Sequence, residues 1–195
     1  MYNTKTATVV NEEFSSSRMS VGINTDVTLK EISVEKSPTG LDFIRFTFED
    51  ADGKTAEMTE WKNTKNMFIK TDEDLQKRDD AQFGRILQII NCFMENIPDA
   101  EFNTFVDMIN WVKSTLDPLL VIKKKLRLKV IYDKNGYVKV SNNGIFVEPM
   151  DVKESQIKLF KRDLLERPIQ ADKEKSDPFS SNTISETEKD DDLPF

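Results

Sequence analysis

Residues 26–61 read DVTLKEISVEKSPTGLDFIRFTFEDADGKTAEMTEW and carry the clearest β-strand pattern of the chain. It contains three runs with the spacing and composition of β-strands, separated by the turns SPTG and ADGK. Both turns place a glycine after a proline or an aspartate, a composition typical of β-hairpin turns. The stretch therefore predicts three consecutive strands.

The first of these strands changes phase midway along its length. Its apolar residues lie on one face as far as Leu29 and on the other face from Ile32 onwards. A bulge near Lys30 or Glu31 would turn all of them inward and coil the strand strongly. The sequence therefore predicts a bent first strand with such a bulge.

The next two strands alternate regularly, so each has an inward and an outward face. Apolar residues fill the predicted inward faces: Ile44, Phe46, Phe48, Ala56 and Met58. The predicted outward faces carry Phe43, Arg45 and Thr47 on the second strand, and Thr55, Glu57, Thr59 and Trp61 on the third.

Two helices are predicted after the third strand. Residues 81–97, AQFGRILQIINCFMENI, place apolar side chains on one broad stripe that Pro98 ends, with Cys92 in the core. Asp99 is the expected N-cap of a second helix over residues 100–114. The acidic clusters EDAD and TDED fit turns and helix starts better than catalytic carboxylates.

The block after the helices returns to β-structure. Residues 121–149 contain a predicted hairpin around DKNG. Making Gly136 a left-handed bulge residue pairs Val130 with Val138 and Leu128 with Val140, which keeps the apolar residues on one face. A short helix over residues 152–167 is expected to follow, with its apolar side packed on the body: Ile157, Phe160 and Leu164.

This order of elements predicts a mainly β fold with α-helices. Three strands, a helical connection and a long hairpin are the order of a five-stranded OB-fold barrel, here with a helical insertion between strands 3 and 4. A generic α+β sandwich is the alternative. The barrel is assigned to residues 21–167. Residues 1–20 are interpreted as an N-terminal arm, either ordered across a neighbouring molecule or loose, and residues 168–195 as a disordered acidic tail.

Composition argues against most enzyme classes. The chain has no histidine and one cysteine, so it has no Ser–His or Cys–His pair, no imidazole metal ligand and no internal disulfide. It also lacks a glycine-rich phosphate loop, a signal peptide and a run of about 18 apolar residues that would span a membrane. We expect a cytoplasmic binding protein without a cofactor or metal.

Charge is distributed unevenly along the chain. Residues 121–140 carry a local net charge of +6 in a chain of −7, whereas residues 170–195 carry −5. Basic residues among separated aromatic rings are typical of surfaces that bind single-stranded nucleic acid. Lysines on an outer strand also prevent edge-to-edge aggregation, which is the other interpretation. The candidate DNA-binding residues are Phe43, Arg45, Trp61, Lys62, Lys123, Lys125, Arg127, Lys129, Tyr137 and Lys139.

The chain ends in DDDLPF, and this ending resembles the C-terminal tail of bacterial single-stranded DNA-binding proteins, which typically end in Asp-Asp-Asp-Ile-Pro-Phe. In that family the tail docks replication and repair enzymes. The resemblance implies that Pro194 and Phe195 fill an apolar pocket of a partner. Asp190, Asp191 and Asp192 would contact the basic rim of that pocket, and the partner-binding ending also includes Leu193, a conservative replacement of the family's isoleucine.

The body resembles a different branch of such proteins. Residues 29–61 look like single-stranded DNA-binding proteins of tailed phages, which are also built on an OB-fold. The two resemblances imply a non-enzymatic phage protein in the host cytoplasm that protects single strands during replication, recombination and repair. It would recruit enzymes of the helicase, primase, polymerase or nuclease class, and a homo-oligomer is compatible with this.

Two other function classes stay open at this stage. One is an adaptor that uses the tail to recruit or compete for tail-binding enzymes without binding DNA. The other is a nuclease or a nuclease inhibitor, which the missing histidine disfavours.

Overall fold

A computed structural model describes residues 17–168, so most of the predicted N-terminal arm and nearly all of the acidic tail, including Asp190–Phe195, lie outside the described residues. The described chain contains six strands and two α-helices. In chain order these are β1 (Gly22–Lys36), β2 (Asp42–Glu49), β3 (Thr55–Trp61), α1 (Asp72–Asn91), α2 (Phe105–Leu116), a 3-10 helix (Asp117–Ile122), β4 (Leu126–Tyr132), β5 (Val138–Val140) and β6 (Val147–Pro149). The expectation of a mainly β fold with α-helices is confirmed.

The strands form one antiparallel sheet in the order β3-β2-β1-β4-β5, and β6 also pairs with β4. The long strand β1 pairs with β2 through its second half and with β4 through its first half. Its register against β2 shifts between Leu29 and Glu31, so the predicted bulge is confirmed at Lys30. A second irregularity lies between Asn24 and Val27. These two irregularities bend β1, so that one half of it pairs with β2 and the other half with β4.

The core lies on the inner face of this bent sheet. All five predicted inward residues of β2 and β3 are buried, and Val34 packs against the same cluster from β1. Residues of both helices close the other side of the core, including Ile86, Ile90, Ile109 and Val112, with Cys92 beside them. The period-two pattern of β2 and β3 therefore correctly predicts which of their residues are buried in the core.

The predicted register of the β4–β5 hairpin is wrong by two residues. Val130 pairs with Val140, and Tyr132 pairs with Val138. The turn is made at Asp133, where Gly136 N–H donates to the Asp133 carbonyl and Gly136 has the expected left-handed φ of 79°. Because a shift of two residues leaves every side chain on the same face, the apolar pattern could not distinguish the two registers.

The helix boundaries differ from the predicted ones at both ends of the helical block. Helix α1 starts earlier than residue 81 because Thr71 accepts a hydrogen bond from Asp74 N–H at 3.0 Å and caps it. It ends at Asn91, well before Pro98. Helix α2 is capped by Thr104, which accepts from Asp107 N–H, and not by Asp99 as predicted.

The predicted helix over residues 152–167 does not form. This segment, hereafter the strap (residues 150–167), runs along β4: Met150 N–H donates to the Lys125 carbonyl, and Tyr132 N–H donates to the Leu164 carbonyl. Ile157 is buried as expected, but Phe160 and Leu164 stay partly exposed. Contacts with the sheet thus override the helical spacing of the strap's apolar residues.

Candidate nucleic-acid interface

The outward side of β2 and β3 forms one continuous surface, hereafter the β2–β3 face. Its members face each other in pairs across the two strands: Phe43 with Trp61, Arg45 with Thr59, and Thr47 with Glu57. Directly opposed side chains on antiparallel strands lie close enough to contact each other. The predicted outward residues of the two strands are therefore brought together on this face.

An aromatic pair occupies one end of the β2–β3 face. The rings of Phe43 and Trp61 are 4.3 Å apart between centroids and inclined by 37°. Trp61 is 43% exposed, whereas Phe43 is only 4% exposed. The prediction that Phe43 is an exposed DNA contact is therefore wrong, because the Trp61 ring packs on it. Phe43 supports the exposed ring of Trp61.

The backbone beneath Trp61 is held from the helical side. Gln82 Nε2 donates to the Trp61 carbonyl oxygen and to Glu60 Oε2, both at 2.8 Å. Arg85 holds the same Glu60 carboxylate through two hydrogen bonds of 2.6 and 2.9 Å. The end of β3 is therefore anchored while the Trp61 ring remains accessible. Sequence reasoning missed Gln82 because it lies on the apolar stripe of α1.

Arg45 lies next to the aromatic pair. Its Cζ atom is 5.2 Å from the centroid of the Phe43 ring. Its carboxylate contacts are long: Nη1 is 3.7 Å from Glu35 Oε1, and Nε is 3.9 Å from Glu57 Oε2. Such partly exposed ion pairs contribute at most about 1 kcal/mol each. The Arg45 guanidinium is therefore held only weakly by Glu35 and Glu57.

The β2–β3 face continues towards the β4–β5 hairpin through Arg18. Arg18 Nη1 is 2.8 Å from Glu57 Oε1, next to Arg45. Arg18, Tyr137 and Arg167 then line a common hollow of about 300 Å³ at the hairpin. The exposed ring of Tyr137 therefore lies at the far end of a surface that starts at Trp61. Sequence reasoning missed both arginines because it assigned Arg18 to the N-terminal arm and Arg167 to the end of a helix that does not form.

Two of the basic residues predicted to contact DNA, Arg127 and Lys129, instead bind groups within the protein. Arg127 donates to Glu148 Oε1 at 3.0 Å and to the Val152 and Met150 carbonyls at 3.1 and 3.3 Å. Lys129 is completely buried beneath the strap. The prediction that Lys129 faces DNA is therefore wrong, and Arg127, although partly exposed, is held by these three contacts. Both residues are on the outer side of β4, as expected, but β6 and the strap meet them there.

Lys129 lies at the centre of a buried polar network. Its ammonium donates to the Asn143 and Lys158 carbonyls at 2.7 and 2.9 Å and to Asp163 Oδ2 at 3.2 Å. Asp163 also accepts from Phe160 N–H at 2.8 Å and from Asn143 Nδ2 at 2.6 Å. Burial alone would raise the pKa of Asp163, but these hydrogen bonds and the Lys129 charge outweigh it and lower that pKa.

The remaining predicted lysines are not gathered at one place. Lys62 is exposed and directly follows Trp61, with its N–H donating to the Asp42 carbonyl. Lys123 and Lys125 are exposed in the segment just before β4, where Lys125 Nζ donates to the Asp26 carbonyl of β1. Lys139 is half-buried on β5. Of these four lysines, Lys62 lies beside the aromatic pair because it follows Trp61 directly in the chain.

Comparison with models of known protein families finds no match, and comparison with curated proteins finds no relative. No helix within residues 17–168 is long and apolar enough to cross a membrane. The same residues contain no cluster of three or more cysteine, aspartate or glutamate side chains that would hold a metal ion. The geometry of the β2–β3 face is therefore the main evidence on function from the structure.

Proposed function

We propose that this protein is a non-enzymatic binder of single-stranded DNA and that the strand runs from Trp61 along the β2–β3 face to Tyr137 at the β4–β5 hairpin. The observation that carries the proposal is the exposed Trp61 ring, backed by the buried Phe43 ring at 4.3 Å and flanked by Arg45. An aromatic ring with a rigid support loses little freedom when a base stacks on it. Each stacked base contributes about 1–3 kcal/mol, whatever its identity.

Phosphates would be held by the cations along the same path. Arg45 can exchange its long contacts with Glu35 and Glu57 for a phosphate at small cost. Arg18 and Arg167 border the hollow near Tyr137, and Lys62 follows Trp61 in the chain. The proposed site therefore retains Arg45, Trp61, Lys62 and Tyr137, adds Arg18 and Arg167, and omits Arg127 and Lys129.

We further propose that the sheet closes as an OB-fold barrel. The support is that β1 pairs with both β2 and β4, and that Cα atoms of β3 and β5, the two ends of the strand order, approach within 8 Å. OB-folds bind single strands across the face of strands 2 and 3 and the loops beside it. The β2–β3 face occupies that position in this topology.

The second part of the proposed function concerns the chain's end. The ending DDDLPF resembles the docking tails of bacterial single-stranded DNA-binding proteins, so we propose that Asp190–Phe195 recruit replication or repair enzymes. Three aspartates would guide the tail to a basic rim, and the final apolar residues would enter a pocket. Binding DNA and recruiting enzymes would then be separate tasks of the body and the tail.

The two tryptophans of the chain allow a matched test of the DNA-binding proposal. In the Trp111→Phe variant the tryptophan fluorescence comes from Trp61 alone, and in the Trp61→Phe variant it comes from Trp111 alone. Adding oligo-dT should quench the first variant strongly and the second weakly. With phosphate contacts from four cations, log K should fall by about 3 per decade of salt. Absence of binding at low salt would refute the DNA-binding proposal.

Deleting residues 190–195 tests the tail separately. We expect this variant to bind oligo-dT as tightly as the full chain or more tightly, and to lose binding to a purified replication enzyme that recognises bacterial tails. Unchanged enzyme binding would refute the tail proposal. A full chain that binds the enzyme but no DNA would support the adaptor alternative.

A further inference from the structure

A second cavity lies next to the aromatic pair, between the first half of α1 and the start of α2. It has a volume of about 360 Å³, and Lys62 and Asn63, the two residues after Trp61, form part of its wall. Gln82 also lines it and donates a hydrogen bond to the Trp61 carbonyl. The cavity is therefore physically connected to the end of the proposed DNA path. Its volume is at the small end of ligand pockets, which suits a single small ring system.

Flat aromatic side chains form one wall of this cavity. Phe83 and Phe102 both line it, and their rings meet edge to face with centroids 5.8 Å apart. The Trp111 ring packs against Phe102 with the ring centroids 5.2 Å apart. Both phenylalanines are only partly buried. A planar base fits such a wall because unstacked bases regularly pack against aromatic side chains.

The polar wall of the cavity carries carboxylates. Asp79 Oδ1 accepts a hydrogen bond from Asn63 Nδ2 at 2.9 Å, and Asp80 Oδ1 accepts from Gln76 Nε2 at 2.8 Å. An ionised carboxylate has room for about four hydrogen bonds, so Asp79 keeps capacity for another donor. Negative charge repels phosphate but attracts the amino group of a base. The charge of this wall therefore favours a base over the backbone of the strand.

We propose that this cavity holds one base of the bound strand, next to the base stacked on Trp61, and that it prefers cytosine, adenine or guanine to thymine. The inference rests on the proposed DNA binding. An exocyclic amino group can donate to Asp79, whereas the one ring N–H of thymine lies between two carbonyl oxygens that a carboxylate repels. Binding would be independent of sequence along the strand except at this position.

Oligonucleotides that differ at one base test the preference. Oligo-dT and the same oligonucleotide with one central dC, dA or dG compete with labelled oligo-dT for the full-length protein, followed by anisotropy. A well-placed base contact contributes discrimination of at least about fivefold. We therefore expect each oligonucleotide with an amino-bearing base to bind at least about fivefold more tightly than oligo-dT.

The variant Asp79→Asn should remove this preference, since the amide keeps the shape and the contact with Asn63 but presents a donor. Glu73→Gln makes the same charge change on the exposed first turn of α1 and should keep the preference. Asn103→Leu changes a second, exposed residue of the cavity lining and should also weaken the preference.

Equal affinity of the wild type for oligo-dT and for the substituted oligonucleotides would overturn the cavity proposal and leave the DNA-binding proposal intact. A preference that persists in both Asp79→Asn and Asn103→Leu would also overturn it. If no oligonucleotide bound, the cavity proposal and the proposed function would both be wrong.

Discussion

Replacing Lys129 with methionine separates a structural role of this residue from the DNA-binding role that its charge suggests. Methionine keeps most of the length of the lysine side chain but has no ammonium group. The substitution removes three hydrogen bonds, to Asn143, Lys158 and Asp163, and leaves the Asp163 carboxylate buried without its cation. We therefore expect the central part of the strap to lose its attachment to β4, while the hydrogen bonds of Arg127 and Tyr132 to the two ends of the strap remain.

The expected cost follows from the burial of both partners. The side chains of Lys129 and Asp163 are both completely buried, so no water screens the pair. Removing one partner of a buried ion pair typically costs about 3–5 kcal/mol. That is a large part of the roughly 5–15 kcal/mol by which a domain is usually stable. With a urea dependence of about 2 kcal/mol per M, the midpoint of unfolding should fall by about 1.5–2.5 M.

Urea unfolding followed by tryptophan fluorescence measures this shift. Lys139→Met is the matched control, because Lys139 lies on the neighbouring strand opposite Ile131 and is only half-buried. It should change the free energy of unfolding by no more than about 0.5 kcal/mol. Replacing Lys129 and Asp163 together by apolar residues should recover part of the loss. A Lys129→Met protein with wild-type stability but weaker oligo-dT binding would refute the structural role.

Three further predictions concern other parts of the molecule. Asp163 has a lowered pKa in the folded protein, so the stability that its carboxylate contributes is complete above its ordinary pKa of 3.8 and is lost as the pH falls through the folded value. The Asp163→Asn variant should therefore show a smaller decline of the urea midpoint in this acid range. An unchanged decline would contradict this. Burial raises the pKa of Cys92 to about 12, so a thiol reagent at pH 8 should modify it only after unfolding, and rapid labelling of the native protein would contradict its burial. Trp61→Ala should weaken oligo-dT binding by about 5- to 150-fold in an anisotropy titration, whereas Trp111→Phe should change it by less than about twofold; equal effects would argue against stacking on Trp61.

The sequence predicted the β-sheet well where the structure depends on local pattern. The alternation in β2 and β3 identified the buried residues, and the change of phase in β1 identified the bulge at Lys30. Both signals arise because a strand residue's face depends only on its position along the strand. The outward position of Trp61 followed from the same pattern.

The errors concern contacts between segments that are distant in sequence. Nothing in the pattern around Lys129 shows that Asp163, 34 residues later, would bury it under the strap. Likewise, Phe43 was placed on the correct face but is covered by Trp61 from the next strand. A basic or aromatic residue on an outer face is exposed only if no later segment packs there, and a period-two pattern carries no information on that.

The most direct test of the central claim is to locate bound DNA on the protein by NMR. The two indole N–H signals are assigned with the Trp61→Phe and Trp111→Phe variants, and oligo-dT is then added to the full-length protein until it is saturated. DNA on the β2–β3 face predicts large shifts for the Trp61 indole and the Tyr137 amide, with the amide of the buried Lys129 nearly unchanged. Saturated binding that leaves the Trp61 indole unmoved and shifts the amides of Lys123 and Lys125 would contradict the claim.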